Sequence, residues 1–147
     1  MLRFKGYLGL SLIELLVALV LISLSVLGAV RLQLASQEQL DYALHSGQAI
    51  ELIEETSRRI HLNYQNYELY QVTNLALIEP FFCDLCSPEQ LVQLDLTHLS
   101  ENLSSSLPQS SASIFRCQDH LCMAVAWAGE SLKKCQKTKY CIERALM

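Results

Sequence analysis

The chain has 147 residues, 51% of them hydrophobic, and this leaves room for one modest domain plus a membrane segment and little more. A formal net charge of −4 argues against a general nucleic-acid binder. Six cysteines, Cys83, Cys86, Cys117, Cys122, Cys135 and Cys141, all fall in the second half, an even count that favours disulfides in an oxidising compartment.

The first element is the apolar run from Leu10 to Val30, 21 residues long. A helix of about 20 residues, rising 1.5 Å each, crosses the hydrocarbon core of a bilayer. Arg3 and Lys5 precede the run, so the chain after Val30 is expected outside the cytoplasm, a vote that Arg31 weakens without reversing. The run exceeds the roughly 7 to 15 apolar residues of a secretory signal, and Ala29 and Ala35 make poor cleavage sites. A plain anchor accounts for the length but not for Glu14, because a carboxylate deep in a span costs about 2.5–3.5 kcal/mol on insertion scales.

One pattern joins these features. The leader "MLRFKGYLG" is short and basic and ends in Gly9; "LSLIELLVAL" follows, with hydrophobic Leu10 first, Glu14 fifth, and about twenty apolar residues in all. The stretch resembles the type IV prepilin signal. That resemblance implies cleavage by a prepilin peptidase between Gly9 and Leu10, then methylation of the new amino group on Leu10, where most family members have Phe. Loss of Arg3 and Lys5 would take the formal charge from −4 to −6. It also gives Glu14 an assembly role. Where apolar helices pack away from water a carboxylate needs a cationic partner, and the N-terminal amine of an adjacent subunit would supply one and set axial register.

After Arg31 the sequence turns polar but keeps a stripe at spacings of three and four: Leu40, Ala43, Leu44, Gly47, Ile50, Ile53, Ser57 and Ile60. With no proline from Leu10 to Ile60, the pattern predicts one helix of about 50 residues, roughly 75 Å long. Many major pilins carry a bending proline midway, so this helix is expected to be straighter, with Gly28 its weak point. Its second half must lean on a domain. Tyr64, Tyr67 and Tyr70 are expected to cover the junction, with a ligand-binding aromatic face as the alternative.

A second helix is predicted from Ser87 as N-cap, Pro88 as first helical residue and Gln90 completing a capping box, to a stop at Pro108. Val92, Leu96, Leu99, Leu103 and Leu107 form its apolar stripe. "SIFRCQDHLCMAVAWAG" predicts a β-hairpin in which Leu121, Met123, Val125 and Trp127 alternate with Cys122, Ala124 and Ala126. Residues 118–121 are taken as the connection, which would set Cys117 opposite Cys122. A short strand around "CIERALM" completes a small antiparallel sheet. The arrangement is α+β, matching the type IV pilin fold that the resemblance implies: a leader (1–9), a transmembrane half-helix (10–30), an amphipathic half-helix (31–62), and a disulfide-stabilised periplasmic head (63–147).

The block from Cys83 to Pro108 also resembles one branch of the family, the minor pilins called PilV or type IV pilus modification proteins. The paired cysteines, Ser87-Pro88, Asp95-Leu96, Leu103, the Leu107-Pro108 exit and a strand ending near Trp127 carry that likeness. Leu99 stands where such chains often have Trp.

Other chemistry is weighed against this. Cys83 and Cys86 have redox-motif spacing before a helix, but no βαβ alternation surrounds them and a structural disulfide is favoured. Cys117, His120, Cys122 and His98 make a zinc site only on paper, lacking the usual ligand spacing. Six cysteines allow 15 pairings; the local set is preferred, Cys117 with Cys122 across the hairpin, Cys135 with Cys141 around a lysine-rich loop, and Cys83 with Cys86. Lys133, Lys134, Lys137 and Lys139 crowd that loop, read as solvated, with a phosphate-tracking or acidic-partner patch as the alternative. No G-x-S-x-G, phosphate-binding glycine loop or HExxH occurs, so an enzyme, a metal or a cofactor is not expected.

The expectation is therefore a minor pilin, held in the inner membrane with its C-terminal domain in the periplasm until it joins the pilus. Its expected partners are other minor pilins, the major pilin, the prepilin peptidase, the assembly platform and a tip adhesin, with DNA binding not favoured. The rivals are a type II secretion pseudopilin and a membrane-anchored periplasmic thiol-disulfide protein.

Overall fold

A single helix, α1 (Leu12–Leu62), accounts for the first third of the computed structural model, which describes residues 11–146. It passes through Gly28 without a break. The chain divides into two compact units, one up to Leu40 and one from Asp41 onward. In the first, every described residue from Leu12 to Leu40 is helical and exposed.

In the second unit α1 buries Ala49, Leu52, Ile53, Thr56 and Ile60, all on one face of the helix. This is not quite the stripe read from the sequence. Ile53 and Ile60 lie on it and Ser57 is half-buried, but Leu40, Ala43, Leu44, Gly47 and Ile50 are exposed. Apolar residues occupy two neighbouring rows of this helix, and the domain covers the row that also holds Tyr42 and Thr56. Thr56 is tolerated there because its hydroxyl donates to the Leu52 carbonyl at 2.7 Å, so burial leaves no polar group unpaired.

Past α1 the backbone tightens into 3₁₀ turns at Tyr64–Tyr70 and Leu75–Leu77. Asn63, buried at the junction, donates from Nδ2 to the Pro88 carbonyl at 2.7 Å and ties the end of α1 to the start of the second helix. That helix, α2 (Pro88–Ser106), begins with a complete capping box: the Ser87 hydroxyl accepts from the Gln90 N–H, and the Gln90 side chain accepts from the Ser87 N–H. Val92, Leu96, Leu99, Leu103 and Leu107 are all buried.

Strands β1 (Ser111–Cys117), β2 (His120–Ala126) and β3 (Cys141–Ala145) form an antiparallel sheet in that order. The hairpin between β1 and β2 is tighter than expected. Cys117 stands opposite His120 and Phe115 opposite Cys122, leaving only Gln118 and Asp119 in the turn, with Gln118 at φ 53°. A two-residue turn with positive φ matches the right-handed twist of the strands it joins, and this preference overrides the longer connection. Cys117 and Cys122 are therefore diagonal neighbours on one face, and their sulfurs are bonded across a Cα separation of 5.8 Å.

The central strand is covered on both sides. Leu121, Met123 and Val125 face the main core with α1 and α2, while Ala124 and Ala126 pack against Cys135, Cys141, Leu132 and Phe115. Small residues on that second face let the 3₁₀ turn Leu132–Lys137 lie close to the sheet. The layout is α+β, a long apolar N-terminal helix with a small antiparallel three-stranded sheet.

Candidate functional site

The most unusual surface in the chain is the first half of α1. From Leu12 to Val30 its side chains are apolar on all sides apart from Glu14 and two serines, and all are exposed. Ser23 donates to the carbonyls of Leu19 and Val20, both at 2.9 Å, and Ser25 to that of Leu21 at 2.8 Å. These hydroxyls thus need no solvent, a requirement for a helix placed in hydrocarbon. It is one helix, near the N-terminus, long and apolar enough to cross a membrane.

Ser11 opens this helix, its carbonyl accepting from the N–H groups of Glu14 at 2.9 Å and Leu15 at 3.2 Å. Glu14 sits in the first turn, where the unpaired backbone N–H groups favour an anion. It forms no ion pair among the described residues. It is also the one ionisable group between Leu12 and Val30. Gly9 and Leu10, the residues expected at the processing site, lie outside the described residues.

Asp95, Arg59, Tyr70 and Glu55 form a polar cluster in the head that the hydrophobic pattern alone does not single out. Asp95 of α2, 7% exposed, accepts from Arg59 Nη1 and from the Tyr70 hydroxyl, both at 2.7 Å. Arg59 also donates from Nε and Nη2 to Glu55, at 3.0 and 2.7 Å. Burial pulls the Arg59 pKa down, but the bonds to Asp95 and Glu55 outweigh it and hold the guanidinium above its ordinary value. Burial and the bond to Asp95 together push the Tyr70 hydroxyl well above its usual range. The three groups join α1, the 3₁₀ turn and α2. A legible signal existed: Asp95 falls three residues after Val92, on the apolar face of α2, and a carboxylate there demands a cation.

Of the three tyrosines at the junction, only Tyr70 is buried; Tyr64 and Tyr67 stack on each other with centroids 5.5 Å apart. Elsewhere Tyr42, Trp127 and Tyr140 meet at centroid distances of 6.3 Å, and the Lys139 ammonium stands 4.9 Å from the Tyr140 centroid.

The cysteines pair Cys83–Cys86, Cys117–Cys122 and Cys135–Cys141. The first pair precedes the Ser87 cap, and the third closes the lysine loop against the sheet. Cys117 and Cys122, bonded to each other, are removed from any ligand set with His120. Among the described residues no three His, Cys, Asp or Glu side chains are grouped to hold a metal ion. Searches against family models, curated proteins and solved structures return no match to this chain.

Proposed function

We propose that the chain is a minor type IV pilin, PilV-like, that takes part in pilus assembly and priming and ends at or near the pilus tip. The observation that carries the reading is the helix Leu12–Leu62, bare and apolar on all sides through its first half, with a single carboxylate in its first turn. A soluble fold has no use for such a surface, and an anchor alone has no use for the carboxylate. On this reading a prepilin peptidase cuts after Gly9, Leu10 is methylated, and the amine of a neighbouring subunit pairs with Glu14. The helix first holds the protein in the inner membrane, with the head in the periplasm, and later packs among other pilins. The chain acts as an assembly subunit with no reaction of its own.

Mass spectrometry of the mature N-terminus, from membranes and from sheared pili, tests this. A chain beginning at methylated Leu10 in both fractions is expected. An intact Met1 start, or absence from the pili, overturns the proposal.

A further inference from the structure

Charge in this chain is sharply divided. Between Arg31 and Glu130 there are 13 carboxylates against four arginines, whereas from Lys133 to Arg144 there are five cations against Glu143 alone. Three of those cations, Lys133, Lys134 and Lys137, line a cavity of about 410 Å³ together with Gln136, Cys135 and Glu143. None of the three makes an ion pair among the described residues, while Arg58, Arg59 and Arg116 each have an acidic partner.

The base of the cavity is cross-linked to the sheet. The turn Leu132–Lys137 is bonded through Cys135 to Cys141, at a Cα separation of 4.9 Å, and both cysteines are buried against Ala124 and Ala126. Glu143 stands on β3 in register with Ala124, on the same covered face. Stems rooted in a fixed backbone lose less freedom when their ammonium groups converge on a ligand.

We propose that this cavity binds a compact multivalent phosphate. Ammonium groups act as point charges on phosphate oxygens, and three of them against one carboxylate leave the lining net positive. The volume falls in the range of small-ligand sites, about 300–1,000 Å³, and exceeds what one phosphate fills. A long polyanion is disfavoured, because beyond the five cations of this segment it meets a chain whose net charge is −4. Binding here requires neither membrane insertion nor assembly, so it stands or falls separately from the pilus reading.

The probe is tripolyphosphate, titrated calorimetrically into the full chain in neutral detergent at low salt, with orthophosphate and a short DNA duplex as comparisons. Saturable one-site binding is expected, weaker for orthophosphate and for the duplex. The K133Q/K134Q/K137Q variant should bind about tenfold or more weakly. Glu143→Gln should bind more tightly, a gain that a misfolded variant cannot produce, and Trp127 fluorescence melts check that each variant is folded. No saturable binding of tripolyphosphate, equal binding by the triple variant, or tighter binding of the duplex would each overturn the proposal.

Discussion

Asp95→Ala is the sharpest probe of what holds the head together. The substitution removes the acceptor of two bonds at 2.7 Å, from Arg59 and from the Tyr70 hydroxyl. Tyr70 is 1% exposed, so its hydroxyl is left without Asp95 as acceptor, at about 1–3 kcal/mol. Stranding a buried charge by removing its partner costs about 3–5 kcal/mol, but the Arg59 side chain is 35% exposed and keeps Glu55 at 2.7 Å. That part therefore falls to about 1 kcal/mol, and the expected loss is about 2–4 kcal/mol. Urea unfolding of the full chain in detergent reports it through Trp127, the single tryptophan, 1% exposed in the fold. An unchanged slope against denaturant is required for the midpoint shift to be read as stability. The comparison variant is Glu54→Ala, whose pair with Arg58 is 3.9 Å long and 66% exposed on both sides; it should lose less than about 0.5 kcal/mol. If Asp95→Ala loses no more than Glu54→Ala, the cluster does not hold the head and the reasoning fails.

Further outcomes follow from other elements. Because burial raises the Tyr70 pKa above the ordinary 10.0, the folded state keeps a proton that the unfolded chain gives up. Its contribution is complete below pH 10 and is lost as pH rises beyond it, by up to about 1.4 kcal/mol per pH unit; Tyr70→Phe should flatten the alkaline limb of a stability profile. Ser87→Ala removes one half of the capping box and should lower the urea midpoint by the equivalent of about 1 kcal/mol. On the proposed assembly, Glu14→Ala should remain in the membrane fraction and disappear from sheared pili; normal incorporation would count against the pairing. Leu40→Ser/Leu44→Ser should insert as the wild type does and reach pili less, read by immunoblot of the two fractions.

How much of this was legible depends on how local the cause is. The α2 capping box, its stripe of one valine and four leucines and its stop before Pro108 are written in contiguous residues, and the structure has them. The unbroken α1 follows from the lack of proline. What was misread turns on partners distant in sequence. Choosing between two apolar rows of α1 needs the sheet, and pairing Asp95 with Arg59 needs a contact across 36 residues. The turn at Gln118 is two residues shorter than the alternation suggests, because a two-residue shift keeps every side chain on its face and hydrophobic alternation alone does not count turn residues. Likewise, Leu121 to Trp127 reads as an alternating strand, whereas both its faces are buried, the second by a loop that follows it.

The exposed row on α1 separates an anchor from an assembly element. A hydrocarbon core about 30 Å thick, entered at Leu12, is used up in about 20 residues, close to Arg31. Leu40 and Leu44 lie about 14 and 20 Å further along the helix, yet they are 58% and 56% exposed among the described residues. On that placement lipid tails do not reach them, and water leaves each leucine short of about 1–2 kcal/mol that burying its exposed part would return. An anchor gains nothing from such residues, whereas a subunit whose helix packs among like helices gains at every one of them. On the proposed assembly, Glu14 fixes the axial step, and Leu40 and Leu44 each add apolar contact area to neighbouring subunits. That division explains why Glu14→Ala should be lost from pili and Leu40→Ser/Leu44→Ser depleted from them, while both leave membrane insertion intact.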